Sequence, residues 1–415
     1  MPSPDPRRLL WLPAALTAAA LTVGGGSPAH AAPSPKPSLP RPQVTVSRYD
    51  ALGGPKMAAH GVVKDARATT PPAVRNVSWL IADLDSGEVL AAKAPHARLR
   101  PASTLKTLTA VTLIPQISPK SSHRITDADA QAEGTRVGLV PGARYTGDEL
   151  FNALLLSSGN DAAYALARVG GGRDTVLSEM NAQARRLGAW DTHAADPAGL
   201  DAPAQYSSAY DLALIGREAM KNTRFRTYVA RKNATLPGVK RGTKRTRFEI
   251  SNHNAVLYNY PGAIGVKNGY TTKANHTLIS AVRRNGRTLI ITQMYGLQGG
   301  WRPTAALYDW AFANLDRLSP VGHLVSPAEA QRIAASRTTS RERSRTTEPT
   351  PRATAQPTAS AAPVATPATQ PRRATLPLWG WAGAALGTLA VFSLLRRRRP
   401  TAARHGRSAR HGRHR

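Results

Sequence analysis

The distribution of large apolar residues confines any hydrophobic core to the central part of this 415-residue chain. Residues 32–75 are rich in proline and small residues, and residues 333–375 are mostly proline, threonine, alanine and arginine. Segments of such composition cannot bury enough apolar surface to offset the entropy lost on folding. The sequence therefore predicts a flexible leader over 32–75, one folded domain over 76–320 and a disordered linker over 321–375.

The N-terminus has the pattern of an export signal. Arg7 and Arg8 precede a largely apolar run from Leu9 to Val23, and Ala29-His30-Ala31 has the small-x-small form of a cleavage site. We therefore expect residues 1–31 to be a signal peptide that is removed on export. The alternative is an uncleaved N-terminal anchor, for which the apolar run is short.

A second apolar stretch, residues 376–395, contains no charged residue. A helix of this length spans about 30 Å, the thickness of a bilayer's hydrocarbon layer. Four arginines follow at 396–399, and this flank favours a cytoplasmic C-terminus. The sequence predicts a single-pass transmembrane helix at 376–395, a basic cytoplasmic tail at 396–415 and a domain outside the cell membrane. A wall-sorting signal would be similar, but no L-P-x-T-G motif precedes the stretch.

The formal net charge of +31 would ordinarily suggest a nucleic-acid partner. From Ile333 onward, however, sixteen arginines face two glutamates, so about fourteen of these charges lie outside the central region. That region has no nucleic-acid motif and no basic stripe interleaved with aromatic residues, and we expect no nucleic-acid partner. The chain has no cysteine, which excludes disulfides and thiolate chemistry.

Apolar periodicity in the central region predicts strands at both ends and helices between them. Strands are expected at 77–82, 88–92, 276–283 and 287–295, the last two joined by an Asn285-Gly286 hairpin turn. Helices are expected at 104–114, 161–167, 175–187, 208–220 and 304–315, and from a capping box at Thr146–Glu149 to Leu156. This order predicts an α/β (α+β) sandwich, in which an antiparallel sheet is flanked by helices, with a helical subdomain.

Three short motifs occur in order along this region, and the order is more specific than any one of them. Ser103 and Lys106 form S-x-x-K, which places a hydroxyl and an amine one helical turn apart. The hydroxyl can act as a nucleophile and the amine as its base if the amine is neutral. Ser158 and Asn160 form S-x-N on a polar turn between two helical runs, and Lys267 opens K-x-G on an expected strand.

With these motifs the chain resembles the serine D-Ala-D-Ala carboxypeptidases, the low-molecular-weight penicillin-binding proteins of the peptidase S11-like family. The resemblance extends from about Ser78 to Leu315 and includes Arg100–Lys106, Gly138–Gly142, Ser158–Ala163, Gly199–Asp201 and Tyr260–Gly262. It implies a DD-peptidase/β-lactamase-like transpeptidase fold and removal of the terminal D-Ala from D-Ala-D-Ala in peptidoglycan stem peptides. It also implies that β-lactam antibiotics are covalent inhibitors and that no cofactor is needed.

The resemblance also implies a role for each motif residue. Ser103 attacks the penultimate D-Ala carbonyl to form an acyl-enzyme, and Lys106 accepts the serine's proton. Ser158 passes that proton to the leaving D-Ala nitrogen, and Asn160 orients Lys106 and the substrate amide. Burial and the nearby charge of Lys267 are expected to keep Lys106 neutral.

Substrate binding is assigned by the resemblance to the strand that begins with Lys267. The set comprises Lys267, Asn268, Gly269, Tyr270 and Thr271. Lys267 provides the positive field for the substrate's terminal carboxylate, and the backbone N–H groups of Ser103 and Tyr270 form the oxyanion hole.

Two positions depart from the family pattern. Asn268 replaces the usual threonine of K-T-G, so an amide replaces the hydroxyl expected to bind the carboxylate, and altered affinity rather than loss is expected. Asp196 stands where asparagine is usual. It is either a loop-capping residue before Pro197 or a deacylating acid like that of class A β-lactamases. The alternatives are therefore a β-lactamase or penicillin esterase on the same fold, or a catalytically impaired peptidoglycan-binding protein.

No metal site is expected, because the chain has no H-E-x-x-H motif or comparable ligand spacing. His253 and His276 lie near the expected cleft in sequence, and we interpret both as structural.

Overall fold

A computed structural model describes residue 49 and residues 51–346 of the chain. The expected signal peptide (1–31), transmembrane helix (376–395) and basic tail (396–415) lie outside the described residues. So do most of the leader before residue 51 and the linker after residue 346. Among the described residues, no helix is both long enough and apolar enough to cross a membrane.

The described strands comprise one large antiparallel sheet and two small two-stranded antiparallel sheets. Their bounds are β1 Val62–Lys64, β2 Asn76–Asp83, β3 Glu88–Lys93, β4 Ser122–Arg124, β5 Arg144–Thr146, β6 Asn233–Arg241, β7 Lys244–Ser251, β8 Ala263–Thr271, β9 Asn275–Arg284, β10 Arg287–Gly296 and β11 Gly322–His323. The large sheet has the order β1-β3-β2-β10-β9-β8, with β11 paired to β3. Strand β8 therefore lies at an edge of the sheet.

Most of the described helices lie between the first and last strands of this sheet in sequence. Their bounds are α1 Lys106–Leu113, α2 Asp127–Ala130, α3 Gly147–Leu155, α4 Asn160–Val169, α5 Arg173–Leu187, α6 Ala209–Lys221, α7 Thr223–Ala230, α8 Ala255–Asn259, α9 Arg302–Ala313 and α10 Pro327–Thr346. A 3₁₀ turn, Ala102–Leu105, leads directly into α1. This arrangement confirms the expected sandwich with a helical subdomain.

Alternation along β2 divides the core into two layers. Leu80 and Ala82 face the helical subdomain, where α6 packs on β10 and β2. Trp79 and Ile81 face the opposite layer, which α9 covers. Successive side chains of a strand point to opposite faces, so one strand serves both layers.

Helix α1 occupies the centre of the helical subdomain, in contact with α3, α4, α5 and α6. All of its residues except Val111 are buried. A helix that is buried on nearly every side needs apolar or small residues all round, which the sequence LTAVTL supplies. The first turn of α1 is thereby held at a fixed position relative to the sheet.

The N-terminal boundary of the folded region differs from the prediction. Residues 51–75 were expected in a flexible leader, but Val62–Lys64 pairs with β3 and Met57 is completely buried. The outer edge of β3 carries unpaired backbone groups, and a short strand from a proline-rich segment can satisfy them. Composition therefore misplaced this boundary.

The C-terminal boundary also extends further than residue 320. Residues 321–346 were expected in the disordered linker, yet β11 pairs with β3, and Val325 and Ala330 are buried. Helix α10 packs against α5. The few apolar residues of 321–330 are enough because they join the hydrophobic core of the domain and do not have to form a core alone.

Candidate active site

Ser103 and Lys106 are placed by the junction between the 3₁₀ turn and α1. Lys106 begins α1, and its Nζ lies 3.0 Å from Ser103 Oγ. Lys106 is fully buried, while Ser103 is partly exposed. The hydroxyl is thus open to a substrate, and the amine beside it is shielded from water.

Two carbonyl oxygens define which way the Lys106 amine faces. Its Nζ donates to Asn160 Oδ1 at 2.7 Å and to the Ala198 carbonyl at 2.6 Å. A neutral amine has two N–H donors and one lone pair. When both donors are used on these carbonyls, the lone pair is directed to the Ser103 hydroxyl, which is the orientation that a general base requires.

The charge state of Lys106 follows from its surroundings. Burial, and then the positive charge of Lys267, lower the pKa of Lys106 well below its usual 10.5. The carboxylates of Asp196 and Asp161 oppose this shift more weakly. Desolvation penalises an ammonium without a direct counter-ion, so the neutral base is favoured.

Two hydrogen bonds of Asn160, one from its side chain and one from its backbone, hold the S-x-N loop in place. The Asn160 side-chain amide donates to the Glu133 carbonyl at 2.6 Å, and its backbone N–H donates to the Thr135 carbonyl at 2.7 Å. Ser158, two residues earlier, is buried and adopts a left-handed conformation with φ +60°, which is uncommon for serine. The structure therefore brings Asn160 to Lys106, with Ser158 on the same short loop.

Strand β8 lies directly against the nucleophile. A Cβ atom added to Gly269 would lie 2.7 Å from the Ser103 backbone nitrogen and 2.6 Å from Thr277 Oγ1. Only glycine fits this approach. The amides of Ser103 and Tyr270, the expected oxyanion-hole donors, consequently belong to two segments in direct contact.

Lys267, two residues before Gly269 on the same strand, is also buried. Its Nζ donates to the Asn268 carbonyl at 2.7 Å, and burial lowers its pKa from 10.5 to about 7. Its charge also lowers the pKa values of Lys106 and His253. The three motifs, which are separated in sequence, therefore converge on one groove.

The other residues of the expected binding strand have different surroundings. Thr271 Oγ1 donates to Asp201 Oδ1 at 3.1 Å, and Tyr270 is 54% exposed with its ring 4.8 Å from that of His276. Asn268 and Tyr270 line a cavity of about 240 Å³ beside β8. His253 and His276 line the same cavity, and burial lowers the pKa of each imidazole.

Asp196 supports the loop that presents the Ala198 carbonyl to Lys106. Its Oδ1 accepts the backbone N–H groups of Ala198 and Leu200 at 2.9 and 3.1 Å. Its Oδ2 accepts Tyr164 Oη at 2.9 Å and Arg173 Nη2 at 2.8 Å. Both oxygens are occupied by structural partners, an arrangement that favours the loop-capping interpretation.

Sequence reasoning missed the carbonyl of Ala198 and the carboxylate of Asp161. Asp161 accepts the backbone N–H groups of Val137, Gly138 and Leu139 at 2.9–3.2 Å, and so fixes the loop that borders Asn160. A backbone carbonyl leaves no mark in the sequence. The Gly138–Gly142 and Ser158–Ala163 segments were noted, but nothing in them indicated that they contact each other.

One group of potential metal ligands occurs among the described residues, outside the groove. Ligand atoms of His96, Asp191 and Asp211 lie within 4.8 Å of one another. His96 Nδ1 and Asp191 Oδ2 share a hydrogen bond of 2.7 Å, and Arg98 Nε donates to Asp191 Oδ1 at 2.9 Å. The second ring nitrogen of His96 contacts the Leu52 carbonyl, so this buried network ties the N-terminal segment to the domain.

Comparison with known proteins provides independent findings. The family model described as D-alanyl-D-alanine carboxypeptidase matches residues 65–296. D-alanyl-D-alanine carboxypeptidase DacB2 of Mycobacterium tuberculosis is 43% identical over 254 residues, which cover 60% of this chain and 85% of that protein. D-alanyl-D-alanine carboxypeptidase of Streptomyces sp. strain K15 is 34% identical over 241 residues, covering 55% of this chain and 83% of the relative.

Solved structures give the same result. A crystal structure of D-alanyl-D-alanine carboxypeptidase from Mycobacterium tuberculosis superposes with a TM-score of 0.58 and 41% identity, covering 64% of this chain and 99% of that one. The Streptomyces K15 DD-transpeptidase superposes with a TM-score of 0.57 and 30% identity, covering 59% of this chain and all of that one (100%).

Proposed function

This chain belongs to the D-alanyl-D-alanine carboxypeptidase family, peptidase S11, and on that premise we propose that it removes the terminal D-Ala from peptidoglycan stem peptides through an acyl-enzyme on Ser103. Family membership makes the chain a serine hydrolase with the transpeptidase fold of the penicillin-binding proteins. The observation that carries the residue assignment is the contact of 3.0 Å between Lys106 Nζ and Ser103 Oγ, beside two carbonyl acceptors.

Acylation begins when Ser103 Oγ attacks the carbonyl carbon of the penultimate D-Ala. The hydroxyl proton moves to the lone pair of Lys106, and backbone N–H groups of Ser103 and Tyr270 stabilise the oxyanion, each donor contributing about 3 kcal/mol. The C–N bond to the terminal D-Ala then breaks. The proton on Lys106 passes through the Ser158 hydroxyl to the leaving nitrogen, so D-Ala departs as a neutral amine.

Deacylation reverses these roles with water in place of the amine. Water attacks the ester carbon, Lys106 accepts one of its protons, and Ser103 Oγ recovers a proton as the C–O bond breaks. The products are the shortened stem peptide and the free enzyme. The steps use only water and the side chains and backbone N–H groups of the groove.

Lys267 directs the enzyme to a chain end. The buried ammonium of Lys267, a residue of β8, attracts the terminal carboxylate of the substrate, and that carboxylate in turn favours the charged form of Lys267. Asn268 retains an N–H donor for the same carboxylate, although it lacks the hydroxyl of the usual threonine.

Mass spectrometry of full-length protein incubated with a pentapeptide ending in D-Ala-D-Ala tests the proposal. Release of one D-Ala by the natural chain is expected, together with a covalent adduct on incubation with benzylpenicillin. Ser103→Ala removes both products. A Ser103→Ala variant that still releases D-Ala contradicts the assignment of the nucleophile.

The same measurements separate the two alternatives. If the protein is a β-lactamase, the penicillin adduct should be hydrolysed rapidly, and Asp196→Asn should abolish that hydrolysis. The bonds that Asp196 makes to Tyr164, Arg173 and two backbone amides do not favour this role. A catalytically impaired binding protein predicts no adduct at all, yet Ser103 and Lys106 are arranged for reaction.

The proposal also covers the location of the enzyme in the cell. Residues 1–31 direct export, and residues 376–395 anchor the protein in the membrane as a single-pass helix, with the catalytic domain facing the cell wall. Its support is the sequence alone, namely the charged flanks and apolar runs at the two ends. Protease added to intact, wall-stripped cells should degrade the domain, and a chain ending at residue 375 should appear in the medium. Protection of the domain from protease contradicts this orientation.

A further inference from the structure

The hairpin of β6 and β7 carries a dense group of cations at its tip. A two-residue turn, Gly242-Thr243, joins the strands, with Gly242 in the left-handed region at φ +59°. Five exposed basic side chains surround the turn, and we call them the hairpin cations: Lys240, Arg241, Lys244, Arg245 and Arg247. This concentration of charge has no role in the chemistry of the groove.

The pairing of the strands places like charges opposite each other. Lys240 is paired with Arg245, and Arg241 is paired with Lys244. Like charges at directly opposed positions destabilise a hairpin, where a pair of opposite charge would stabilise it. Two such pairs in succession indicate that this segment serves something other than the stability of the hairpin.

The hairpin cations lack the carboxylate partners that hold some other arginines of the domain. Arg168, for example, pairs with Asp129 at 2.8 Å, and Arg287 pairs with Asp83 at 2.9 Å. Across residues 51–346, none of the hairpin cations has a carboxylate within 4.0 Å. Within that range, therefore, no carboxylate neutralises their charge, although Arg247 Nη2 donates to the Thr235 carbonyl at 3.2 Å.

The charges occupy both faces of the ribbon. Lys240 and Arg245 share one face, and Arg241 and Lys244 share the other, because neighbouring residues on a strand point in opposite directions. A planar membrane surface contacts one face of a protruding ribbon. A flexible linear polymer can follow both faces, so the placement of the charges favours a polymer.

The base of the hairpin is anchored beside the active site. Leu236 is completely buried, and Tyr145 Oη donates to the Pro237 carbonyl at 2.7 Å. At the other end of β7, the Ser251 carbonyl accepts a hydrogen bond of 2.8 Å from Ser157, the neighbour of Ser158. Strand β7 has eight residues, and at about 3.3 Å per residue the tip lies within about 26 Å of that loop.

We propose that the tip of the β6–β7 hairpin is a binding site for a linear poly(polyol phosphate), a polyanion whose small polyol units are joined by phosphodiester groups. Arginine binds phosphate oxygens through two parallel N–H donors, and lysine adds a compact positive charge. Such a polymer neutralises the opposed cations of both faces at once. A bound polymer would hold the enzyme, and with it the active-site groove, near the surface to which the polymer is attached.

A fluorescent label at the tip gives a local readout, because the chain has no other cysteine. Full-length Thr243→Cys, labelled with an environment-sensitive dye, is titrated with poly(glycerol phosphate) in nonionic detergent at low ionic strength. Lys56→Cys, at another exposed position, carries the same dye as the control. The fluorescence of the tip label should change at polymer concentrations that leave the fluorescence of the Lys56→Cys label unchanged. Because the dye reports on its own surroundings, this result does not depend on what the basic tail at 396–415 binds.

Two variants with equal loss of charge test the contribution of the hairpin cations. Changing Lys240, Arg241, Lys244 and Arg245 to glutamine in the labelled protein should weaken polymer binding at the tip by about tenfold or more. The matched control changes Lys56, Lys120, Arg317 and Arg332 to glutamine. These residues are also exposed, and their substitution should alter polymer binding at the tip less than twofold. Penicillin labelling of Ser103 in both variants verifies that the domain is folded.

Three results overturn the proposal. One is an equal response of the two dye positions, and another is equal weakening by the two sets of substitutions. The third is a tip response to phosphatidylglycerol nanodiscs that equals or exceeds the response to the polymer at the same phosphate concentration, which would assign the tip to a membrane surface.

Discussion

The two lysines of the groove show how surroundings can suit one residue type to two proposed functions. Both side chains are buried, and burial lowers the pKa of each. Lys106 faces two carbonyl oxygens and a hydroxyl, so its neutral form is useful as a base. In the proposed mechanism Lys267 instead attracts the substrate carboxylate in its charged form. The sequence supplied both lysines, but only their neighbours distinguish a base from a cation.

The first prediction concerns pH. Since the pKa of Lys267 is lowered to about 7, its ammonium is present below that pH and is lost as the pH rises through it. We expect kcat/KM for a D-Ala-D-Ala peptide to fall above about pH 7, approaching tenfold per pH unit. Initial rates between pH 5 and 9 measure this. In Lys267→Arg the guanidinium stays charged, so the alkaline decrease should disappear, and a decrease that persists in that variant contradicts the assignment.

The second prediction concerns Asp196 as a positioning residue. Asp196→Asn keeps the shape of the side chain but loses the charge that binds Arg173, whose own side chain is about half exposed. The Ala198 carbonyl should shift relative to Lys106, and we expect penicillin acylation to slow by about tenfold with unfolding free energy lower by about 1–3 kcal/mol.

Stopped-flow acylation and urea unfolding measure these two effects of Asp196→Asn. Arg173→Gln removes the partner charge and should reproduce the slower acylation in a weaker form. A variant that acylates normally but accumulates the acyl-enzyme would instead assign Asp196 to deacylation.

At the scale of elements, short-range patterns located six of the ten described α-helices and most strands of the large sheet. The capping box at Thr146–Glu149 is confirmed, with Glu149 N to Thr146 Oγ1 at 3.2 Å and Thr146 N to Glu149 Oε2 at 2.8 Å. The Asn285-Gly286 hairpin is also confirmed. The β6–β7 hairpin was missed, because Pro237 and the basic run around the turn hide its alternation. Local rules fail where charge or proline replaces the apolar pattern.

The contact between β8 and the 3₁₀ turn yields the third prediction. Gly269→Ala places a methyl group 2.7 Å from the Ser103 nitrogen, so β8 must move away from the nucleophile. A displacement of about 1 Å at such a site costs about 100-fold in rate. We expect penicillin acylation to fall by about that factor, as measured by gel fluorescence with a labelled penicillin.

Gly61→Ala is the matched control for Gly269→Ala, because no atom lies within 4 Å of the methyl group it adds. It should acylate like the natural chain. If Gly269→Ala also acylates at the natural rate, β8 is not held against Ser103 as described.

At the scale of the whole molecule, both ends of the described region close onto the same sheet. Strands β1 and β11 each pair with β3. The Arg337 guanidinium lies 4.7 Å from the centre of the Tyr49 ring and 5.5 Å from that of the Trp190 ring. The contact with Tyr49 joins the N-terminal and C-terminal segments of the described region. The folded unit is therefore larger than composition indicated, and segments that cannot fold alone are ordered by it.

The fourth prediction tests whether residues 51–58 are part of the folded domain. Met57 is completely buried although it lies in the segment expected to be flexible. Met57→Ala should lower the unfolding free energy by about 2–5 kcal/mol, with penicillin acylation unchanged. Urea unfolding followed by tryptophan fluorescence measures the loss. Val62→Ala, at a position that is 47% exposed, is the control and should change stability by less than about 0.5 kcal/mol. Equal stability of the two variants contradicts the packing of residues 51–58.

The sequence by itself determined the periodic elements, the order of the three motifs and the family, because these depend on residue types and on spacings along one chain. Only the tertiary structure decided which carbonyls orient Lys106, that Asp196 supports a loop, and where the domain ends. Those features arise from contacts between segments far apart in sequence, many of them through backbone atoms that every residue shares. A backbone carbonyl such as that of Ala198 acquires its function from position alone, and position is a property of the folded chain.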